Sequence, residues 1–475
     1  MAGCQSWHKS HVAAIHSYAS GDLKTSQIEL QKSIKSPRAE KEMLLLDQSV
    51  LQLASGNPSA AETNLREVRR ELEHLEQTAL GEKATAMLTD DNAVAWAARD
   101  FERHMVLNML LLSSLLNNGT DSFAYSMQVA QRAAGVREGL AKKVTHPTQP
   151  ADGTPGTAGP AILPAGYSGA NPSLTTPVQN LVTPVDKPIA MGSYLSAAIQ
   201  SETAVRAIET DRALDDVRFW NPEFGESLAS PESLSFGTRC KPGHGALHVI
   251  ALVGRAPEWV PESTVPTQAA LLIADRILSV TGKHTLPPTI APVRIARPVP
   301  DYSAVQPAAL HFSVLSADNQ PAISSIPFQT LVDVNAAAVA SFENNRDEEV
   351  ARIVVRRVVK KGTIYVLKEA QKISRNTAVD LAVNVAGIAW EAMEKPDLRS
   401  WHLLPARIDV ARTELPAGTW KTDLRIGSGT GGRVQIPVHI ADGRNTFVVF
   451  FVPENSITGD ILVGGADQAT HSSRQ

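Results

Sequence analysis

Apolar residues near the front of the chain recur at helical spacing and are interrupted at regular places. Val12, Ile15 and Tyr18 fall on one face, a break follows at Ser20-Gly21, and Leu23, Ile28, Leu30 and Ile34 resume the period. Residues 38–76 repeat the plan. Met43, Leu44, Leu46, Val50, Leu51 and Leu53 form a broad helical stripe, and Leu65, Val68, Leu72 and Leu75 form a second. Between them Gly56-Asn57-Pro58-Ser59 stops one helix and starts the next, with Asn57 placed to cap and Pro58 in the first turn. The two breaks are near-copies. Ala19-Ser20-Gly21-Asp22 and Ala54-Ser55-Gly56-Asn57 stand 35 residues apart, and Tyr18, Gly21 and Leu30 match Leu53, Gly56 and Leu65 at that offset. The spacing is close to the roughly 34 residues of a tetratricopeptide (TPR) helix-turn-helix unit.

An insertion at 79–95, carrying Asp90-Asp91, interrupts the period. A third pair is expected at Trp96–Leu116 and Asp121–Lys143, broken at Asn117-Asn118-Gly119. Three pairs are about the minimum for a stable stack, whose concave face ordinarily binds another chain. Residues 144–190 turn rich in Pro, Gly, Thr and Ala and read as a linker. One further helix is expected over Gly192–Val217.

Beyond residue 245 the pattern changes to strands. Ala246–Val253, Val293–Pro300, Ala309–Leu315, Ala406–Thr413, Trp420–Ile426, Arg433–Ile440 and Thr446–Val452 are apolar or alternating runs of strand length. Leu415-Pro416-Ala417-Gly418 and Asp442-Gly443 are the clearest turns. Alternation of Val434, Ile436, Val438 and Ile440 predicts a one-faced antiparallel sheet. Asp347–Lys372 and Arg375–Met393 read as a helical hairpin. The fold class expected is therefore α+β. A TPR-like helical repeat domain (5–143) and a linker (144–190) precede a mixed α/β domain (191–460) with an antiparallel sheet and a helical hairpin, and a polar tail (461–475) follows.

Charge and cysteines narrow the partners. A net charge of −4 over 475 residues gives no electrostatic case for nucleic acid, and no apolar run is long enough for a transmembrane helix. Cys4 and Cys240, the two cysteines, do not suggest a disulfide framework. Met1-Ala2-Gly3-Cys4 places two small residues before a cysteine, as at the cleavage end of a bacterial lipoprotein signal, which makes Cys4 a candidate lipidation site.

Other candidate chemistry is thin. Cys240, His244 and His248 are spaced four apart, but Lys241-Pro242-Gly243 breaks any helix and no fourth ligand is near, so no metal is expected. The glycine run 427–432 lacks the Gly-Lys-Ser/Thr ending of a phosphate loop. Asp90-Asp91 with Asp100 and Glu102 read as helix caps before they read as acid and base. Arg352, Arg356, Arg357, Lys360 and Lys361 read as a solvated helix face. Trp390, Trp401 and Trp420 read as core before sugar platform. No residue is nominated as catalytic and no cofactor is expected.

Several stretches are distinctive together. They are Met87-Leu88-Thr89-Asp90-Asp91-Asn92-Ala93-Val94 with Asp100-Phe101-Glu102, and Asp397-Leu398-Arg399-Ser400-Trp401-His402-Leu403-Leu404-Pro405. The second runs on through Ala411-Arg412 to Leu415-Pro416-Ala417-Gly418, and Gly254-Arg255-Ala256-Pro257 completes the set. Through them the chain resembles a largely uncharacterised family of bacterial envelope lipoproteins with TPR-like N-terminal helices and an α/β C-terminal half. The resemblance implies lipidation at Cys4 and a periplasmic protein held at the outer membrane; a cytoplasmic protein is the alternative. The expected function is a non-catalytic scaffold whose helical groove binds a protein partner. The alternative is a C-terminal module that binds peptidoglycan or another cell-wall polymer, with Trp401 or Trp420 as the contact. Membrane association would come only through the lipid, and the oligomeric state is left open.

Overall fold

The repeated glycines explain the repeated turns. Gly21 and Gly56 have φ of +84° and +74°, a region that costs a side chain strain but costs glycine little. Each follows a helix and precedes a capped one. Asp22 accepts from the Thr25 amide at 3.0 Å, and Asn57 from the Ala60 amide at 3.2 Å. The third break turns the same way, with φ of 59° at Asn118 and 66° at Gly119. The computed structural model describes residues 6–36, 40–86, 96–145, 182–228, 236–281, 286, 290–316, 321–370, 396–427 and 433–465.

The helices of the stack are α1 (Ser6–Ala19), α2 (Leu23–Ile34), α3 (Lys41–Ala54), α4 (Pro58–Ala86), α5 (Asp100–Leu116), α6 (Ser122–Thr145), α7 (Ile189–Ser201) and α8 (Ala207–Trp220), followed by the short α9 (Pro222–Glu226). Each packs on the next along the chain. The single helix expected over 192–217 is two, broken at 202–206, so a fourth pair joins the stack. The part of the expected linker that is described does not behave as one: Val185, Ile189 and Ala190 are buried in the main core. Residues 146–181 lie outside the described residues.

Most of the strand half forms two layers. The first sheet has the order β11-β10-β1-β7-β6, from β1 (His244–Val253), β6 (Gln329–Asp333), β7 (Arg407–Pro416), β10 (Asn445–Val452) and β11 (Thr458–Gly465). The second is β5-β4-β8-β9, from β4 (Leu310–Leu315), β5 (Pro321–Ile326), β8 (Gly418–Ile426) and β9 (Val434–Ile440). An α+β architecture with antiparallel pairing is thus present, with one exception at its centre: β1 runs parallel to β10. Both strands are buried on both faces, which is the setting parallel pairs require. One face of the first sheet, with Ile250, Leu252, Val449 and Phe451, shares a core with the helices. The other face, with Leu247, Val249, Val448 and Phe450, shares a core with the second sheet. The result is three layers, helices on sheet on sheet.

A smaller unit lies to the side. β2 (Glu258–Thr264) pairs with β3 (Val293–Val299), and α10 (Gln268–Thr281) and α11 (Val334–Ala370) pack with them around Ala274, Leu278, Ile295 and Val354. α11 starts at Val334, well before the expected 347. The second helix expected at 375–393 lies outside the described residues. Of the expected polar tail, 461–465 belong to β11, and the rest lies outside the described residues.

Candidate functional site

Three of the distinctive sequence segments, 100–102, 254–257 and 397–405, meet where the helices approach the first sheet, and 87–94 lies outside the described residues. Glu102, in the first turn of α5, is almost wholly buried. Its Oε2 accepts from the Arg99 amide at 2.8 Å, which caps the helix, and its Oε1 accepts from the Trp401 amide at 2.9 Å. Burial pushes its carboxyl above the usual range, opposed by Arg99. The Arg99 guanidinium lies 3.5 Å from the Trp259 ring centroid and donates to the Arg399 carbonyl at 2.8 Å. Arg399 pairs with Asp397 at 2.7 Å and with Glu40 at 3.3 Å. The Ala256 amide donates to the Leu404 carbonyl at 2.6 Å. Segments distant in sequence are therefore one structural knot, in which 397–405 threads between α1, α3, α5 and the start of β2.

Three residues in that knot carry metal-ligating atoms. His11 Nε2, Asp47 Oδ2 and His402 Nδ1 lie within 4.8 Å of one another, the only such group of three among the described residues. α1 supplies His11, α3 supplies Asp47 and the loop supplies His402. His11 and Asp47 are 2.7 Å apart, and His402 is 3.9 Å from the same carboxylate oxygen. The other oxygen of Asp47 accepts from the Leu403 amide at 2.7 Å. The imidazole rings of His11 and His402 meet edge to face at 4.8 Å. Burial pulls His402 down to about 4, with Asp47 opposing, so its ring is neutral at pH 7. Its Nδ1 is buried and has no hydrogen-bond partner. The neighbouring Ser400 Oγ and Trp401 Nε1 are in the same condition. Such atoms are uncommon in folded proteins, and each calls for an explanation such as strain, a chemical role, or a bound water or ion.

A second feature is open to solvent. A cavity of about 600 Å³ lies between α4, α5 and α6, within the roughly 300–1,000 Å³ range of ligand pockets. Leu72, Val106, Leu107 and Val136 form its apolar wall. Arg69, Arg103 and Arg132 stand beside Glu73 and Glu76. Glu76 pairs with Arg103 at 3.6 Å and Arg132 at 3.9 Å, and Arg69 pairs with Glu73 at 3.3 Å. Along its interhelical turns the helix stack is packed against by the chain itself. β11 crosses the interhelical turns, with Thr458 against Gly21, Asp460 against Gly56 and Gly464 against Leu115.

The remaining sequence candidates are dispersed. Cys4 and Asp90-Asp91 lie outside the described residues. Cys240, His244 and His248 do not gather. His248 is fully buried, accepts from the Tyr194 hydroxyl at Nδ1 (2.6 Å) and donates from Nε2 to Asn445 Oδ1 (3.0 Å), a satisfied core histidine. Asp100 sits in the first turn of α5 and pairs with Arg103 at 3.7 Å. The basic face of α11 is not solvated as expected. Arg356 is buried, and Arg357 donates to the Pro292 carbonyl at 3.0 Å, because β3 and its approach pack on that face. Arg352 pairs with Glu348 on the surface. The side chains of Lys360 and Lys361, the glycines after Gly427 and Trp390 lie outside the described residues. Trp401 is fully buried and cannot act as a surface platform; Trp420 is half-buried and donates to the Pro416 carbonyl at 2.8 Å. The sequence missed His11 and Asp47. Each stands alone in a helical stripe, and only folding sets them beside His402.

The fold and these sites define an α+β protein. No family model, curated protein or solved structure matches the chain.

Proposed function

We propose that this is a non-catalytic interaction protein of the bacterial envelope, lipid-anchored at Cys4, that holds an acidic, partly apolar segment of a partner protein in the cavity between α4, α5 and α6. The cavity carries the reading. It combines an apolar wall with Arg132, whose ion pair with Glu76 is long at 3.9 Å, so that this guanidinium is placed to take a carboxylate from a peptide. The usual inner groove of a TPR-like stack is not the site in this reading, since the first helices of the pairs, α1, α3 and α5, pack against 397–405 and β11.

A photoreactive amino acid placed at exposed Gln131, in the full-length chain in its own cells, tests the proposal. A discrete adduct is expected from this position and not from exposed Glu209 on α8. Adding Arg132→Glu is expected to reduce the adduct about tenfold or more, since charge reversal turns an attraction into a repulsion. An adduct insensitive to Arg132→Glu, or none, rejects it. The compartment is read separately, from the mass of the N-terminal peptide of membrane-extracted protein: an unmodified Cys4 removes the anchor.

A further inference from the structure

The hydrogen bond between His11 and Asp47 accounts for two members of the buried cluster and leaves the third unexplained. His402 directs Nδ1 toward Asp47 Oδ2 from 3.9 Å, too far for a hydrogen bond, and that nitrogen is buried with no partner. Asp47 is a carboxylate with no exposure at all, faced by two imidazoles and held by the Leu403 amide through its other oxygen. Its Oδ2 is thereby fixed as a single forward ligand. Two imidazole nitrogens and one carboxylate oxygen, from three separate segments, form a donor set typical of zinc and related divalent ions.

We infer that His11, Asp47 and His402 bind one divalent transition-metal ion of the zinc type, which ties α1 and α3 to the 397–405 segment.

The distances suit this. Metal bonds of about 2.0–2.1 Å in a tetrahedral arrangement put ligand atoms about 3.3 Å apart. The observed separations, from 2.7 Å up to 4.8 Å, bracket that value. The ion would draw His402 inward and spread the His11–Asp47 pair, small side-chain adjustments. His402 is 20% exposed while its partners are at most 2% exposed, so the ion's approach and its fourth ligand, a water, lie on the His402 side. The ion would also balance the buried carboxylate and supply the partner that Nδ1 lacks.

The test uses the full-length protein without a polyhistidine tag, stripped with chelator and then titrated with zinc chloride against a chromophoric competitor. One tight equivalent per chain is expected. His402→Gln should weaken it by about 100-fold or more, with an unchanged circular dichroism spectrum. X-ray absorption on the zinc-loaded wild type should show two imidazoles and no sulfur. The absorption result stands whether or not the variant folds. Absence of zinc binding, equal binding by folded His402→Gln, or a sulfur-containing shell that assigns the ion to a cysteine would each overturn the inference. The groove adduct does not depend on this result, so either proposal can fail alone.

Discussion

Glu102 shows how one side chain fixes a long-range junction. It satisfies two backbone amides about 300 residues apart, those of Arg99 and Trp401. Glu102→Ala leaves both donors unpaired at about 1–3 kcal/mol each, so a loss of about 2–6 kcal/mol is expected in urea unfolding. A loss below 1 kcal/mol would show that water replaces the carboxylate. His104, on the same helix, is a buried neutral imidazole. Burial pulls it down to about 3, with Arg132 and Arg103 adding to the effect. An unfolded histidine titrates near 6.5. Between these values only the unfolded chain takes up the proton, so this contribution is present above 6.5 and is lost as pH falls toward 3. Raised carboxyls such as Glu102 act in the opposite sense, so the histidine must be isolated by a variant. Wild type should lose about 1.2 kcal/mol more than His104→Leu between pH 7 and 5.5. Parallel pH profiles for the two proteins would refute this.

At the scale of elements, the strand that edges the first sheet is matched to the helical period. β11 places Thr458, Asp460 and Gly464 at successive helix ends, which explains two of the three glycines in its eight residues, Gly459 and Gly464, while Gly465 lies against Asn445 of β10. Gly459 has φ of +76°, and a Cβ there would stand 2.0 Å from the Ala54 carbonyl oxygen. Gly427 has a similar φ of +65°, and among the described residues nothing lies within 4 Å of its missing Cβ. Gly427→Ala should therefore cost only the backbone term, about 1 kcal/mol, while Gly459→Ala should cost several times that, read as paired shifts in urea midpoint. Equal shifts would mean that β11 yields without disturbing α3. The same element shows why sequence patterns reach only so far. β1 and β10 are legible because their apolar runs are local, and the turns at Gly21 and Gly56 because their residues repeat. β11 is not, since its glycines answer to helix ends that are far away in the chain. β6 is short, β2 carries Pro261 inside its run, and α10 carries exposed Leu272 that blurs its period.

At the scale of the whole molecule, the helices and the first sheet bury one another. The largest core runs from Ala14 through Leu110 and Tyr194 to Ile250, Trp401 and Phe451. α5 is buried on nearly every side because it lies among α4, α6, α7 and β11. A fragment of residues 6–145 lacks the sheet and α7, so it should remain helical by far-ultraviolet circular dichroism, bind a hydrophobic dye and melt without a sharp transition. A cooperative, dye-silent fragment would show that the helix stack folds on its own.

Local order was already written in the chain: helix against strand, the breaks at Gly21, Gly56 and Gly119, the α+β class, and the capping role of Glu102. These depend on neighbours a few residues away, where periodicity and backbone preference act. The parallel pairing of β1 with β10, the packing of β11 along the turns of the helix stack and the meeting of His11, Asp47 and His402 were decided only in three dimensions. Each depends on which apolar faces find one another across hundreds of residues, and a single sequence carries no local trace of that choice.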